Sequence, residues 1–380
     1  MRVAICGMGL RSTHVLTIMK KHMPEAEFVG YYDPRDDLEP WPEGGDIPRF
    51  SDLAEMLAEV KADLLFVGSP NHMHLEHIRI GLEAGVRIFA EKPVVTTIED
   101  TFKLAELLQK YGTDRVIIGL VLRYSQHVRD LKAALEAGQI GPISSIEASE
   151  YIAPFHGAFF MRDWRRKTEY SGGFMLEKCC HDLDIYNMVT GSRPIRVASF
   201  GSRRSFLPEH KPEAGVDDSV YHVKGTRWEG VDDPFTADAD IVDNQTSIVE
   251  FESGASMTFS TNTNVPDEHR RFCVMGAKGM AEGDFVRGYF KVTDARTSER
   301  LEEKNYADSE GLLGAHYGAD EMMVEDIVAH LKGRNESLPV GVVDAMIAGI
   351  AAIAMDESRE TGKIIDLAPY WEKFDSYNLR

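Results

Sequence analysis

Cysteine is scarce in this 380-residue chain: there are four, and two of them, Cys179 and Cys180, are neighbours. Adjacent cysteines are badly placed to bridge one another, which argues against a disulfide framework and makes a reducing cytoplasm the expected setting. Long apolar runs are missing as well, with no window near the roughly 18 consecutive apolar residues of a membrane span. The opening Met1-Arg2-Val3-Ala4-Ile5-Cys6-Gly7 reads as a strand from its second residue and leaves no room for a secretory leader. Positive charge is in deficit, with 42 Lys and Arg against 62 Asp and Glu and a net charge of −20. The acidic excess is spread along the chain, so neither nucleic acid nor a membrane is expected as a partner. Internal repeats and low-complexity tracts are absent.

What is present is apolar material, 43% of the residues, enough to fill two cores in a chain of this length. Up to about residue 122, short β-rich runs alternate with helical stretches, the pattern of an α/β domain with a doubly wound parallel sheet of the Rossmann kind. The strands are expected at Val3–Cys6, Glu27–Tyr32, Leu64–Gly68, Arg87–Ala90 and Val116–Leu120. Helices are expected at Ser51–Val60, His74–Ala84 and Thr97–Tyr111, with Ser51 and Thr97 as N-caps and Gly85 and Gly112 as left-handed C-terminal residues.

A second domain, 123–380, begins with a helix at about 125–137. Strands are then expected at Ile143–Tyr151, Ile195–Ser202, Gln245–Phe251, Ala255–Thr263, Arg271–Met275 and Tyr289–Thr293. Their linkage by hairpin and loop signals predicts an α+β domain with a large, mostly antiparallel open sheet. Late helices at Tyr317–Lys332 and Gly341–Thr361 cover sheet faces, and the C-terminal helix is expected to return to the first domain. Residues 205–244 carry little periodicity and read equally as a solvated excursion or as a lid or oligomer contact.

The first chemical motif follows the first strand at once. In Cys6-Gly7-Met8-Gly9-Leu10-Arg11-Ser12, Gly7 and Gly9 allow a tight turn and close approach of backbone to a pyrophosphate. The helix that follows offers free amides and a positive dipole end. Ser12 fills the third, small position of a weakened GxGxxG fingerprint. Asp33 ends the second strand 24 residues after Gly9, close to the ~20-residue offset at which an acid bonds the adenosine ribose hydroxyls. That carboxylate favours NAD over NADP, and Arg35 is the residue that would work against the preference.

Further along come Gly68-Ser69-Pro70-Asn71-His72-Met73-His74, Ala84-Gly85, Glu91-Lys92-Pro93, Leu122-Arg123-Tyr124, Gly141-Pro142 and Trp164-Arg165. The run Gly172-Gly173-Phe174-Met175-Leu176-Glu177-Lys178-Cys179-Cys180-His181-Asp182-Leu183-Asp184 is similar to a GGxLxDxGxHxxD signature. Over essentially its whole length the chain resembles the glucose-fructose oxidoreductase, inositol dehydrogenase and rhizopine catabolism family, Gfo/Idh/MocA. The resemblance implies a nicotinamide cofactor on the first domain, a substrate site and often an oligomer interface on the second, and a cis Lys92–Pro93 bond. It implies catalytic roles for Lys92, His181 and Glu177. Cofactor contacts are implied for Gly7, Gly9, Leu10, Arg11, Asp33, Ser69, Pro70, Asn71, His74, Glu91, Lys92, Arg123, Trp164 and Arg165. Substrate contacts are implied for Lys92, Tyr124, Lys178, His181 and Asp184.

The chemistry agrees with these residue types. Hydride transfer from an alcohol carbon leaves a proton on oxygen, which a positioned acid/base must exchange. Lys92 follows a parallel strand, where open α/β sheets place ligands. Glu177 and His181, four apart, share a face if the segment is helical. Glu177 replaces the family's usual Asp and Cys179 its usual Gly, departures that bear on the substrate more than on the reaction. The reading is an NAD-dependent dehydrogenase or reductase acting on CH–OH groups of a sugar, sugar derivative or inositol, assembled as a homodimer or homotetramer.

Other readings attach to the same residues. A glycosidase or lyase working through transient oxidation would form no net NADH, and a dinucleotide-sensing regulator would have no use for Lys92 and His181. His72, His74 and His77 lack the cysteines or carboxylates of a metal site, and no metal is expected. Cys179-Cys180 reads as two buried small hydrophobes. The cationic run Arg162 to Lys167 reads either as a solvated face or as a contact for cofactor or an anionic substrate.

Overall fold

The computed structural model describes the chain except residues 37, 39, 40, 308–314 and 380. The chain begins with β1 (Arg2–Cys6), α1 (Leu10–His22), β2 (Glu27–Tyr32), β3 (Arg49–Phe50), α2 (Leu53–Val60), β4 (Leu64–Val67), α3 (His74–Glu83), β5 (Arg87–Ala90), α4 (Ile98–Tyr111) and β6 (Val116–Ile118). These six strands make one parallel sheet in the order β3-β2-β1-β4-β5-β6. Val3 to Cys6 and Leu64 to Val67 are buried without a break, because crossover helices cover both faces of such a sheet.

Helix ends follow local chemistry. Thr97 caps α4, its hydroxyl oxygen accepting from the Asp100 amide. At α2 the cap is Asp52 and not Ser51: its carboxylate accepts from the Glu55 amide, and an ionised acceptor makes the stronger bond. Gly85 has a positive φ as expected. Gly112 does too, but with φ 97° and ψ 143° it lies outside the left-handed helical region, since the chain turns there directly into a short 3-10 turn.

The remaining elements are α5 (Gln126–Glu136), β7 (Ile143–Tyr151), α6 (Pro154–Arg162), α7 (Thr168–Ser171), α8 (Phe174–Thr190), β8 (Pro194–Ser202), β9 (Asn244–Phe251) and β10 (Ser256–Asn262). They continue with β11 (His269–Gly276), β12 (Gly279–Asp284), β13 (Tyr289–Asp294), β14 (Arg300–Asn305), α9 (Ala319–Leu331), α10 (Val342–Thr361), β15 (Ile365–Asp366) and α11 (Ala368–Asp375). A nine-stranded sheet runs β14-β13-β12-β11-β7-β10-β9-β8-β15. All of its pairings are antiparallel except β7 with β10. Burial alternates along β9 and β10, one face against helices and one outward; Phe200 and Ile248 are exposed on the outward side. The chain forms two compact units, Met1–Ser125 with Gly314–Gly349 and Glu372–Arg380, and Gln126–Leu313 with Ile350–Trp371. No helix among the described residues is long and apolar enough to cross a membrane.

The stretch between β8 and β9 contains only two 3-10 turns, Pro208–His210 and Ser219–His222, but it is anchored. The buried Asp243 carboxylate accepts the amides of Arg204, Ser205 and Phe206, and the rings of Phe206, Tyr221 and Phe235 pack together. Arg162, almost fully buried, donates to the carbonyls of Tyr221 and Lys224 at 2.8 and 3.2 Å. Arg166 donates to Asp238 and to the Glu229 carbonyl, and Lys167 pairs with Asp238. The cationic run is thus a clamp for this segment and not a solvated face, while residues 208–220 of the segment itself are mostly exposed.

Helix α8 is buried along most of its length although it carries Glu177, Lys178, His181, Asp182 and Asp184. Arg270 of β11 answers two of the charges at once, meeting Glu150 of β7 at 2.7 Å and Asp182 of α8 at 2.5 Å, all three buried. Removing one member of such a set leaves charge stranded in low dielectric. Arg270→Met should lower stability by about 3–5 kcal/mol, the usual cost of breaking a buried pair, read from urea unfolding. A loss below about 1 kcal/mol would mean that the cluster behaves as a surface pair.

Candidate functional site

In the first unit, the turn after β1 is shaped by Gly7. It has φ 88°, and a Cβ there would lie 2.6 Å from the Ser69 nitrogen and 2.8 Å from the Gly68 carbonyl. Only glycine lets the chain pass this close to the end of β4. Gly9 is the N-cap of α1, and no side chain caps the first-turn amides. Ser12 is fully buried, and a Cβ on Gly68 would meet its Oγ at 2.2 Å, which is why a small residue sits at the third position. A cradle that a Cβ would fill, opening on an uncapped helix N-terminus, fits a pyrophosphate.

Asp33, at the end of β2, is buried and accepts the Met8 amide at 2.9 Å. Its carboxylate also accepts from Arg35: backbone amide 3.0 Å, Nε 2.9 Å and Nη2 2.7 Å. Burial pushes the carboxyl up, but the Arg35 guanidinium and the two amides outweigh it and hold Asp33 below the usual carboxylate range. The arginine expected to compete for a phosphate is therefore tied to the acid.

The Arg11 guanidinium lies between two carboxylates, its Nε 2.8 Å from Glu91 and its Nη1 2.6 Å from Asp320. Asp320, on α9, also faces His14 at 3.2 Å and His316 at 3.0 Å. Against the pull of burial, these bonds hold it far below the ordinary carboxylate range. Glu91 is buried next to Lys92, which is half-buried just past the carboxyl end of β5; the Lys92–Pro93 bond is cis.

Buried His74 lies between two carbonyls, with Nδ1 2.8 Å from the Pro93 oxygen and Nε2 2.8 Å from the Ser69 oxygen. Carbonyls only accept, so a ring nitrogen that carries hydrogen donates to the carbonyl it faces. The ring thereby straps the segment after Lys92 to the end of β4. His77 is pushed down to about 4 by burial and by His74, and its Nδ1 contacts the Ser69 hydroxyl at 2.8 Å. Among the described residues no three His, Cys, Asp or Glu converge to hold a metal. Asn71 is buried, Pro70 half-buried, and Tyr124 wholly buried; Arg123 donates to the Pro339 carbonyl at 3.1 Å.

In the second unit, Gly173 has φ 93° and starts α8; a Cβ there would sit 2.7 Å from an Asp356 oxygen. Glu177 and His181 lie one turn apart on this helix, both buried, with Asp184 also buried. Arg165 binds Glu177 through Nε at 2.8 Å and Asp163 through Nη1 at 2.7 Å, and its guanidinium lies 4.3 Å from the Trp164 ring centroid. Burial raises Asp163 in spite of Arg165. Lys178 pairs with Glu150 at 3.2 Å. Cys179 is fully buried in place of the family's glycine, and burial pushes its thiol up. Asp320, Glu150 and Arg270 escaped sequence reasoning because their partners are distant in the chain.

Residues 1–120 match the oxidoreductase family's NAD-binding Rossmann fold and 132–367 its C-terminal alpha/beta domain, both defined for GFO_IDH_MocA. The chain belongs to the Gfo/Idh/MocA oxidoreductase family. YteT of Bacillus subtilis, named for oxidoreductase activity, is 24% identical over 93% of this chain and 94% of its own. The scyllo-inositol 2-dehydrogenase (NAD(+)) of the same organism is 23% identical over 73% of this chain and 72% of its own. In fold, this Gfo/Idh/MocA chain is similar to the scyllo-inositol dehydrogenase of Lactobacillus casei, solved with NAD(H) and scyllo-inositol (TM-score 0.72, 20% identity, 97% and 99% of the two chains). It is likewise similar to a levoglucosan dehydrogenase solved with NADH and levoglucosan (TM-score 0.75, 17% identity, 97% and 99%).

Proposed function

We propose that this oxidoreductase moves a hydride between NAD and a hydroxyl-bearing carbon of a sugar, sugar derivative or inositol. The observation that carries the reading is Lys92, an ammonium at the carboxyl end of a parallel strand. The Arg11–Glu91 pair links its neighbour to the glycine turn, in a chain that carries both family domains. The inositol and levoglucosan named for similar proteins support a polyhydroxylated ring. NAD, when bound, supplies the hydride acceptor.

The backbone of Gly7, Gly9, Leu10 and Arg11 would hold the pyrophosphate and Asp33 the adenosine ribose. Ser69, Pro70, Asn71, His74, Glu91, Lys92, Arg123, Trp164 and Arg165 complete the cofactor set by resemblance. Lys92 Nζ and the His181 imidazole share the hydroxyl proton, Glu177 orients the substrate or His181, and Tyr124, Lys178 and Asp184 serve substrate. Arg165 fixes Glu177, and His74 fixes the backbone around Lys92.

NAD is preferred to NADP. An ionised Asp33 repels a 2′-phosphate, and Arg35 would have to leave Asp33 to meet one. NADP should bind about tenfold more weakly or worse, a difference of roughly 1.4 kcal/mol, and equal or tighter binding of NADP would overturn the preference.

The chain assembles as a homodimer or homotetramer through the outward face of the second sheet, supported by the exposure of Phe200 and Ile248. A monomer by light scattering at micromolar concentration contradicts this.

Lys92→Met should lower kcat by about 10²–10⁴-fold, the contribution of a positioned acid/base, while NAD still binds. His181→Asn should also be slow, and the double variant should fall well short of the product of the single losses, because groups acting as a unit are non-additive. Losses that multiply independently would assign the two residues separate jobs. Near-normal turnover by Lys92→Met would move the acid/base to Glu177 or Lys178.

A further inference from the structure

The segment joining β8 to β9 delivers one ammonium to the surroundings of Glu177. Lys224 is half-buried, and its carbonyl is held by buried Arg162. Its Nζ lies 5.4 Å from the ring centroid of Phe155 and 5.6 Å from that of Phe159, one turn apart on α6. The Arg165 guanidinium lies 5.6 Å from the same Phe159 ring while binding Glu177, which precedes His181 by one turn. Lys224 therefore stands beside the side chains that surround the proposed chemistry in this unit.

The charges around it are not answered equally. Arg165 has Glu177 and Asp163, and Lys178 has Glu150. Lys224 makes no ion pair with a carboxylate among the described residues. Aromatic faces hold a cation in place without neutralising it, so the desolvation of this ammonium is offset only in part. Burial pushes Lys224 down to about 8, Lys178 and Arg165 push the same way, and Glu268 opposes them. A ligand anion would remove that cost.

We propose that Lys224 binds an anionic group of the substrate and that the substrate is a sugar acid, its carboxylate meeting the Lys224 ammonium. This rests on the oxidoreductase reading above and narrows its substrate class. One unanswered positive charge matches the single charge of a carboxylate better than the double charge of a phosphate monoester. It also gives the 205–244 segment a task, specificity.

The test is calorimetric binding to the NAD-loaded protein, with D-glucuronate and D-galacturonate set against D-glucose and D-galactose, and glucose 6-phosphate as a further probe. The acids should bind at least tenfold more tightly than their neutral parents. Lys224→Met should shrink that ratio at least tenfold, and Lys224→Arg, which keeps the charge, should retain most of it. Equal weakening of acid and neutral sugar by Lys224→Met, neutral sugars binding as tightly as acids, or tighter binding of the phosphate would each overturn the proposal. So would weaker NAD binding by Lys224→Met, which would assign the lysine to the cofactor. NADH absorbance in the same samples separates the two ideas. Lys224-dependent binding of acids without NADH from any sugar counts against hydride transfer alone, and NADH from neutral sugars only counts against the sugar acid alone.

Discussion

Charge taken out of water has to be answered, and helix α8 concentrates that requirement. A helix carrying Glu177, Lys178, His181, Asp182 and Asp184 is buried along most of its length, so its ions need partners from neighbouring elements. They come from three directions: Arg165 from the turn after α6, Glu150 from β7 and Arg270 from β11. Because one arginine serves both Glu150 and Asp182, the register of β7 against β11 and the seating of α8 are fixed together. Even so, burial keeps Asp182 raised to about 6, with Arg270 opposing and Glu150 adding to the rise. Arg165 holds Glu177 at a defined place on this helix, one turn before His181.

The first unit meets the same requirement around Arg11. Its guanidinium joins the helix that begins at the glycine turn to Glu91, beside the proposed acid/base, and to Asp320 of α9. His74 adds a second tie, from the end of β4 to the carbonyl after Lys92. The glycine turn, the end of β4 and the backbone around Lys92 thus belong to one network.

The sheet was legible in the sequence where burial leaves a simple pattern. β2, β5 and β7 occur over the residues expected, because apolar runs and clean alternation are direct consequences of two-sided and one-sided burial. β12, β14 and β15 were not anticipated. β12 is Gly279–Asp284, a strand opened by glycine and closed by acid, and β14 is Arg300–Asn305, nearly all polar; propensity says little about such strands when pairing makes them. The motifs were legible, as was the helical spacing of Glu177 and His181. The pairings that hold them were not: Arg11 with Asp320, or Arg270 with Asp182, join residues that nothing in the local sequence connects. Lys224 was hidden for the same reason, in a segment whose only signal was its lack of period.

The proposed reaction moves a hydride from a carbinol carbon to the nicotinamide. The most direct measurement uses a sugar or inositol turned over by the NAD-loaded protein and deuterated at its reacting carbon. Nuclear magnetic resonance of the NADH formed should find one deuterium per turnover on the nicotinamide C4. Hydrogen from solvent at that position, or product formed with no label in the cofactor, would contradict the account.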